Sequence, residues 1–457
     1  MSNFKLILAA ALAAAGLQAS AQNPIIRDQF SADPTARVFN GKLYLFPSHD
    51  IPPASAADYP RKDWFCMEDY HVFSSENLTD WTDHGVILNQ KQVPWGNPTG
   101  YSMWAPDCIE KDGKYYFFFP NGTKEGRGFG IGIATADKPE GPYTPMEKNI
   151  EGINGIDPGL LQASDGNTYI FWGAGRCAKL KPSLNEIADD TPTETMKWGD
   201  REFQMTGVNC LKGLPSRQAE GPFPFEYNGN YYLTYPYVRE NTEVIGYAMA
   251  KNPMGPYEYK GIILEEWPDC WTIHQSVVNY KGQWYLFYHH NNYSPNFDKS
   301  RAVCVDSLFF NADGTIRPVK PTLRGVGLTD AGSKIQIDRY SEINGGAKIE
   351  FLHQNDADTT KRFEGWKTIF KANSSVRYNS VIFNKTYKKV TVCYRAVNGG
   401  KATIADGKNN IIADVKLGKA ADFKIVKASL KQQPSGKIDL VITAKNDDIE
   451  IDWISFE

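Results

Sequence analysis

Three acidic side chains beside prolines are the residues best suited to chemistry in this 457-residue chain. Asp33 and Asp157 directly precede a proline, and Glu220 begins a Glu-Gly-Pro sequence. If the fold brings them together, the carboxyl groups repel one another, and at least one holds its proton more tightly than in water. Such a set can pair a general acid with a general base. Taken singly, each motif could be a strand-entry turn whose carboxylate accepts local backbone hydrogen bonds.

A repeated pattern surrounds these residues. Five segments share a polar first residue, a short apolar run, a turn ending in glycine and an aromatic-rich run; they begin at Asp33, Asp107, Asp157, Glu220 and His274. Each segment predicts a β-hairpin. A second hairpin-like element follows most copies, but the match is loose in the fifth unit and not clean in the third. Five such units predict a five-bladed β-propeller, with an elongated solenoid or a pair of sandwiches as the alternative.

In a propeller, the first strand of every blade lines the central channel. Asp33, Asp157 and Glu220 are therefore expected to converge on one mouth of that channel. Hydrolysis of a glycosidic bond requires two carboxyl groups on opposite sides of the bond, one to protonate the leaving oxygen and one to activate water. A third carboxylate can raise the pKa of the acid and fix its orientation.

The sequences "SADPTARV", "NGIDPGLL" and "QAEGPFPFEYNGNYYL", in this order, resemble glycoside hydrolase family 43 over roughly residues 25–325. That family comprises five-bladed propeller β-xylosidases and α-L-arabinofuranosidases. The resemblance implies that Asp33 is the general base, Asp157 the residue that modulates the pKa of the acid, and Glu220 the general acid. It also implies inversion of anomeric configuration, with no covalent intermediate.

His274 begins the fifth repeat in "WTIHQSVVNY". The family usually has a His-Gly-Ser-like segment there, and the resemblance implies that the histidine binds a channel metal, commonly Ca²⁺. Calcium prefers oxygen ligands, so water would complete the coordination shell. Gln275 replaces the family's glycine, which leaves the geometry of this loop open. The alternative is a histidine satisfied within the core.

Four further residues are candidate contacts to the substrate. The resemblance places Trp104, in "YSMWAPD", against the sugar, and Arg301 near a sugar hydroxyl. A guanidinium offers fixed donors and would help to keep nearby carboxylates ionised. His49 and Asp50, at the end of a first-blade strand, could also contact the sugar. The alternatives are core packing for Trp104, a surface salt bridge for Arg301, and a turn for His49 and Asp50.

The character of the chain changes after residue 332. Residues 333–457 are rich in lysine and contain alternating apolar runs that predict a β-sandwich. This part is similar to family 6 carbohydrate-binding modules, and Trp366, Tyr378 and Tyr394 are the candidate sugar contacts. A purely structural sandwich is the alternative. The predicted organisation is thus a signal peptide (1–21), a catalytic propeller (22–332) and a sandwich (333–457).

The N-terminal sequence predicts export. Lys5 precedes an apolar run, and Ala19-Ser20-Ala21 forms a small-residue cleavage site before Gln22. We therefore expect a periplasmic or extracellular protein. A formal charge of −3 and no basic stripe give no reason to expect a nucleic acid or membrane partner. The seven cysteines lack metal-ligand spacing and are interpreted mostly as small buried hydrophobic residues, although some could pair.

Together these features predict a monomeric, exported, inverting glycoside hydrolase without an organic cofactor. Its substrates are expected to be plant-type oligo- or polysaccharides that carry arabinofuranose or xylose. A galactosidase on the same fold is one alternative. A propeller that binds sugar without hydrolysing it is the other.

Overall fold

The computed structural model describes residues 22–126, 128–198, 201–216, 218–267 and 270–457. The predicted signal peptide lies outside these residues. Apart from three short 3-10 helices (Pro53–Ser55, Gln90–Gln92 and Thr359–Glu364), the regular structure of the described residues is β. None of their helices is long and apolar enough to cross a membrane. The predicted all-β fold, a five-bladed propeller followed by a sandwich, is confirmed.

Five antiparallel sheets form the blades of the propeller. Blades one and two consist of β1 (Phe30–Phe39), β2 (Lys42–Asp50), β3 (Asp69–Ser75), β4 (Thr82–Asn89), β5 (Asp107–Lys111), β6 (Lys114–Gly122), β7 (Phe129–Ala136) and β8 (Thr144–Pro145). Blades three to five contain β9 (Gly159–Gln162), β10 (Thr168–Trp172), β11 (Arg176–Lys179), β12 (Thr193–Trp198), β13 (Arg201–Thr206), β14 (Val208–Asn209), β15 (Leu211–Lys212), β16 (Phe223–Tyr227), β17 (Asn230–Arg239), β18 (Thr242–Ala250), β19 (Tyr257–Leu264), β20 (Gln275–Tyr280), β21 (Gln283–His290) and β22 (Ala302–Leu308).

The turn residues explain the inner hairpins. In four blades, both central residues of the first turn have positive φ angles; the pairs are Asn40-Gly41, Asp112-Gly113, Asn228-Gly229 and Lys281-Gly282. A two-residue turn of this kind matches the twist of the strands that it joins, and Asn-Gly and Asp-Gly favour it. The repeated polar-glycine pairs therefore set the hairpins that the sequence predicts.

Blade three departs from the regular pattern. Its outer strand β14 pairs with β11, but the β12–β13 hairpin is inserted between those two strands along the chain. This insertion explains why the sequence shows no clean second hairpin in the third unit. Blade four has the additional strand β15, which runs parallel to β19.

The N-terminal segment completes blade five. This sheet has only three strands, β20–β21–β22. Along the outer edge of β22, the backbone N–H of Ile25 donates to the carbonyl of Val303 at 2.8 Å. The side-chain oxygen of Asn23 accepts from the backbone N–H of Val305 at 2.9 Å. The start of the described chain thus pairs with the last blade and closes the ring.

Two six-stranded sheets form the C-terminal sandwich. One has the order β23–β28–β33–β30–β31, with β25 also on β28, and the other β26–β27–β34–β29–β32, with β24 also on β34. These strands are β23 (Thr329–Asp330), β24 (Ile335–Gln336), β25 (Glu342–Asn344), β26 (Lys348–Phe351), β27 (Trp366–Phe370), β28 (Ser375–Phe383), β29 (Lys389–Ala396), β30 (Gly400–Asp406), β31 (Ile411–Leu417), β32 (Ala420–Ser429), β33 (Gly436–Ala444) and β34 (Ile449–Phe456). A single apolar core fills the space between them.

The sandwich packs directly on the propeller. Trp366 stacks on Tyr293 of the propeller with ring centroids 5.0 Å apart and planes at 7°. Arg339 donates to the Tyr293 hydroxyl at 3.1 Å and to the backbone carbonyl of Asn23. The Gln22 amide donates to the Tyr378 hydroxyl at 3.0 Å. The N-terminal segment therefore contacts both blade five and the sandwich.

The candidate sugar contacts of the sandwich are buried instead. Tyr378 and Tyr394 belong to the core between the sheets, with 0% and 3% of their surface exposed. Trp366 keeps 4% exposed because its ring faces Tyr293. The prediction that Tyr378 and Tyr394 stack on a surface-bound sugar is wrong, since their rings have no free face.

All seven cysteines are buried and none forms a disulfide. Burial raises the pKa of the thiols of Cys66, Cys177 and Cys304. The interpretation of these residues as small buried hydrophobic side chains is confirmed, and their thiols remain protonated at neutral pH.

Candidate active site

One cavity on the propeller axis gathers the three carboxylates of the sequence analysis. It has a volume of about 190 Å³ and is lined by Asp33, Asp157 and Glu220 together with Trp64, Phe65, Met67, Trp104, Ala105, Ile156, Trp271, Thr272, His274 and Arg301. Asp157 and Glu220 lie just before the inner strands of blades three and four, and Asp33 lies within β1, the inner strand of blade one. The repeat thus brings together residues that lie far apart in the chain.

The backbone at these acids is unusual. Asp33 and Asp157 have φ angles of 47° and 58°, in the left-handed region that aspartate tolerates better than most residues. Asp33 lies within a bulge of β1, where the register with β2 shifts between Ala32 and Thr35. Bulges re-aim side chains and are frequent next to active sites. The local geometry therefore positions Asp33 for more than entry into a strand.

Asp33 is held in its ionised form. Its Oδ1 accepts from the Arg301 guanidinium at 2.9 Å, and its Oδ2 accepts from the Ser48 hydroxyl at 2.7 Å. Burial alone would raise its pKa, but Arg301, His274, His289 and the Ser48 hydrogen bond together lower it to about 2. Asp33 can therefore accept a proton at any moderately acidic or neutral pH.

Asp50 holds Arg301 in place. The carboxylate of Asp50 accepts from the backbone N–H, Nε and Nη2 of Arg301, each at 2.9 Å. Only 1% of Asp50 is exposed, and it does not line the cavity. The prediction that Asp50 contacts the sugar is wrong, because its oxygens are engaged by the guanidinium. Arg301 itself does line the cavity, and its contact with a sugar hydroxyl stays a prediction.

His49 also lies away from the cavity. Its Nδ1 is 2.7 Å from the Asp69 carboxylate, and its ring packs edge-on against His71 with centroids 4.9 Å apart. Burial would lower its pKa, but Asp69 raises it above the ordinary value. His49 does not line the cavity, since its side chain points to Asp69 and His71 of blade one, and the sugar contact for His49 stays a prediction.

Glu220 and Asp157 behave oppositely to Asp33. Burial, followed by the charge of Asp33, raises the pKa of Glu220 to about 7. Burial raises the pKa of Asp157 well above its usual range, and Glu220 and Asp33 add to the effect. Asp157 accepts a hydrogen bond from the backbone N–H of Gly221 at 3.2 Å, so it contacts the turn that carries Glu220. At neutral pH the cavity thus contains both ionised and protonated carboxyl groups.

A fourth carboxyl group, Glu243, was not predicted. It lies on β18 with 4% of its surface exposed, and burial together with the nearby Glu220 raises its pKa well above the usual range. Its side chain accepts from the backbone N–H of Ile273 at 3.0 Å. Glu243 therefore fixes the segment between Trp271 and His274, two residues that line the cavity. The sequence signal that could have identified Glu243 was its position in "NTEVIGY", at the start of the second hairpin of its unit.

Gln275 secures the turn that follows Glu220. It is fully buried, and its amide donates to the backbone carbonyl of Gly221 at 3.0 Å and to the Thr234 hydroxyl at 3.1 Å. Gly221 has a φ of 50°, and a Cβ there would lie 2.6 Å from the His274 ring. The glutamine that departs from the family pattern thus contributes directly to the geometry of this loop.

His274 lines the cavity as a neutral imidazole. Its Nδ1 is 3.9 Å from Oδ1 of Asp33, and burial lowers its pKa to about 4. Among the residues that the structure describes, the one group of three or more His, Cys, Asp or Glu side chains with clustered ligand atoms is His49, Asp69 and His71. His274 does not belong to that group.

Aromatic side chains from the connecting loops form the rim of the cavity. Trp64 and Phe65 come from the loop after β2, Trp104 from the loop after β4, and Trp271 from the loop after β19. Trp104 packs on Phe129, with ring centroids 4.8 Å apart. The indole N–H groups of Trp64 and Trp104 are buried and have no partner among the described residues. Trp104 was predicted; the aromatic-rich connections were the signal for the others.

The model of glycosyl hydrolases family 43 matches residues 21–316, which comprise the propeller and all the acids above. The chain belongs to this family. Xylosidase/arabinosidase 43A of Humicola insolens, a family relative by sequence, is 36% identical over 334 residues, which are 65% of this chain and 99% of the relative. The propeller is therefore a glycoside hydrolase domain.

Solved structures of family 43 agree with this assignment. CoXyl43, a GH43 beta-xylosidase/alpha-arabinofuranosidase from a compost microbial metagenome, was crystallised with xylotriose in a calcium-free form. It is 32% identical, covers 66% of this chain and 98% of its own, and gives a TM-score of 0.56. An arabinoxylan arabinofuranohydrolase of Bacillus subtilis in complex with cellotetraose aligns over 95% of this chain and 97% of its own, with 20% identity and a TM-score of 0.52. That likeness shows a shared fold over both domains.

Proposed function

We propose that this family 43 enzyme is an exported, inverting glycoside hydrolase that releases arabinofuranose or xylose from plant-type glycans. One observation carries the proposal: a single cavity holds Asp33 with a pKa of about 2 and Glu220 with a pKa of about 7. Glycoside hydrolysis needs a carboxylate base and a carboxylic acid present together. The names of the similar enzymes support the two pentoses.

Asp33 is the proposed general base and Glu220 the general acid. Asp33 takes a proton from a water molecule while the water oxygen forms a bond to the anomeric carbon. The bond from that carbon to the leaving oxygen breaks, and Glu220 gives its proton to this oxygen. Because water attacks from the face opposite the leaving group, the configuration inverts. The proton on Asp33 then returns to Glu220 through solvent, which restores both groups.

Arg301 sets the protonation state of Asp33, and Asp157 supports the acid. The Arg301 guanidinium keeps Asp33 ionised, and Asp50 fixes Arg301 through three hydrogen bonds. Asp157 lies against the Gly221 turn and shares the low-polarity environment of Glu220. We assign Asp157 to orienting the acid through the Gly221 turn, while burial and the charge of Asp33 keep Glu220 protonated.

The aromatic rim fits a sugar ring. Trp104 and its neighbours offer flat apolar surfaces to the C–H groups of the ring. The proposal that the mature protein leaves the cytoplasm is supported by the apolar run and the small-residue cleavage site ahead of Gln22.

Calcium, which the family implies, fits the axis only as a largely hydrated ion. His274 supplies one neutral nitrogen, and calcium prefers oxygen ligands. We propose that His274 would hold such an ion through one contact, with water as its other ligands. A cation there would add positive charge beside Asp33 and help to keep it ionised.

The test is hydrolysis of aryl α-L-arabinofuranosides, β-D-xylosides and β-D-galactosides by the wild type, Asp33→Asn and Glu220→Gln. We expect turnover of a pentoside, and a loss of about 10²–10⁴-fold in Asp33→Asn with every leaving group. Glu220→Gln should lose much less on dinitrophenyl than on alkyl glycosides, because a good leaving group needs no protonation. Proton NMR of the first product should show the inverted anomer.

Other outcomes separate the alternatives. Turnover of the galactoside alone would replace the pentose assignment. Tight sugar binding without turnover on any substrate would favour the binding propeller. Glu220→Gln with the full wild-type rate on alkyl glycosides would remove Glu220 as the acid.

A further inference from the structure

A second and larger cavity lies between the propeller and the sandwich. This interdomain groove has a volume of about 930 Å³, within the range of about 300–1,000 Å³ that is typical of small-molecule sites. Trp267 and the Asn291–Pro295 region line it from the propeller, and residues 349–356 line it from the sandwich. Such a size accommodates a ligand of several sugar rings.

The groove opens on the same face of the propeller as the catalytic cavity. Two loops connect them. The loop after β19 places Trp267 in the groove and Trp271 and Thr272 in the catalytic cavity. The loop after β21 places Asn292 in the groove and ends at Arg301 in the cavity. Because successive strands of a blade are antiparallel, the ends of β19 and β21 lie at the same face as the starts of β16 and β20, next to Glu220 and His274, so both loops belong to the mouth.

The sandwich reaches this face through the segment before β27. Phe363 packs on Phe30, at the start of β1, with ring centroids 5.0 Å apart, and on Tyr293 at 5.2 Å. These contacts therefore fix the groove-lining residues of the sandwich beside the mouth of the propeller channel.

The chemistry of the groove suits a neutral, hydroxyl-rich ligand. Its charged side chains already have partners: Lys367 and Arg395 both pair with Glu450, Glu350 with Lys348, and Asp356 with Lys361. The groove therefore presents no isolated charge to an ionic ligand.

Neutral polar groups and aromatic rings remain for recognition. Gln354 and Asn355 are exposed in the groove; the Gln354 oxygen accepts from the backbone N–H of Phe351 at 3.3 Å, which leaves its NH₂ group toward a ligand. Trp267 stacks on His290 at 4.5 Å and so presents a fixed ring at the wall. Amide groups that hydrogen-bond hydroxyls, with a flat aromatic ring beside them, are the donors, acceptors and apolar surface that a sugar ring requires.

We propose that the interdomain groove binds the glycan chain beyond the sugar in the catalytic cavity, which makes the sandwich part of the substrate-binding surface. This inference rests on the proposed function, since it assigns the continuation of the same substrate. It places sugar recognition in the sandwich at the segment 349–356, and not at the buried Tyr378 and Tyr394.

The test compares short and long substrates. The double variant Gln354→Ala/Asn355→Ala removes two groove amides, and Gln432→Ala is the matched control, an exposed glutamine of the sandwich outside the groove. We expect kcat/KM on arabinoxylan oligosaccharides of four or more sugars to fall about tenfold in the double variant. The kcat/KM of the double variant on an aryl pentoside should equal that of the wild type. The Gln432→Ala control should match the wild type on both substrates. Equal losses on the two substrates, or no loss on either, would overturn the proposal.

Direct binding separates this inference from the proposed function. Calorimetric titration of a xylo-oligosaccharide into Glu220→Gln, with and without the groove substitutions, measures binding without turnover. Weaker binding in the combined variant supports the groove even if the wild type hydrolyses none of the aryl pentosides. Equal binding in both contradicts the groove whatever the activity.

Discussion

Asp33 and Glu220 show how neighbouring charges give two buried carboxyl groups opposite roles. Burial pushes the pKa of both upward, but Asp33 contacts the Arg301 guanidinium, whereas the charge of Asp33 raises the pKa of Glu220 further. Arg301 can serve Asp33 because Asp50 holds it from the other side. The division between base and acid thus depends on one buried guanidinium.

These protonation states predict the pH dependence of activity. Glu220 must be protonated, so kcat/KM should fall as pH rises through about 7, tenfold for each further pH unit. Asp33 must be ionised for activity. Because its pKa is about 2, titration of Asp33 should not lower kcat/KM at any pH above roughly 3. Initial rates between pH 4 and 9, with enzyme stability checked at each pH, measure the profile.

A rate that rises through pH 7 would contradict the assignment of Glu220 as the acid. Glu243→Gln provides the control for the neighbouring carboxyl group. Glu243 is held protonated by burial, and glutamine can still accept from the Ile273 N–H, so the profile should stay unchanged.

At the residue scale, the sequence predicted the three central acids, Arg301 and Trp104 as residues of one site. It did not predict the role of Asp50 or the presence of Glu243. The roles of Asp50 and Glu243 depend on the buried residues that contact them. The packing of neighbouring blades determines which residues those are. A motif beside a proline shows where a strand begins, but it carries no information on the partner of a side chain in another blade.

At the scale of elements, the Gly221 turn is the structure on which Glu220 depends. Gln275 holds it from the neighbouring blade through hydrogen bonds to Gly221 and Thr234. Gln275→Ala should destabilise the protein by about 1–3 kcal/mol, because buried polar groups lose their partner. It should also lower kcat about tenfold through misplacement of Glu220. Urea unfolding and kcat on the best aryl glycoside measure both effects.

Gln432→Ala is the matched control, since Gln432 is an exposed glutamine of the sandwich. It should leave both quantities within error of the wild type. Loss of stability in Gln275→Ala with an unchanged kcat would show that the turn keeps its geometry without the amide.

The hairpins were predictable because their turn residues enforce them locally. Four of the five inner turns carry positive φ angles at both central residues. The outer half of blade three was not predictable, because the β12–β13 hairpin separates β11 from β14 along the chain. The loops that form the rim were also beyond prediction, since packing between blades, and not periodicity, determines their shapes.

At the scale of the whole molecule, the N-terminal segment closes the ring. The Asn23 side chain donates to the carbonyls of Val305 and Thr322 at 3.0 and 2.7 Å and accepts from the Val305 N–H. We expect Asn23→Ala to lower the free energy of unfolding by about 1–3 kcal/mol, since these backbone groups lose their partner. Chemical denaturation followed by tryptophan fluorescence measures the change. An unchanged midpoint would show that the ring closes without Asn23.

The two-domain architecture was predictable from composition and alternation, but the contact between the domains was not. Trp366 and Tyr378 looked like ligand-binding aromatics, because a sequence does not distinguish an aromatic ring that faces solvent from one that faces another domain. In the structure, they contact Tyr293 and Gln22 of the propeller.

This shared interface limits how the gene can be cut for recombinant work. Expression of residues 22–332 alone would uncover Arg324, which is 2% exposed in the whole chain and donates to the Asn379 carbonyl of the sandwich at 2.7 Å. It would also leave Gln22 and Tyr293 without their partners. Exchange of the sandwich for that of another enzyme meets the same obstacle. The two domains have separate cores, yet they are not interchangeable parts.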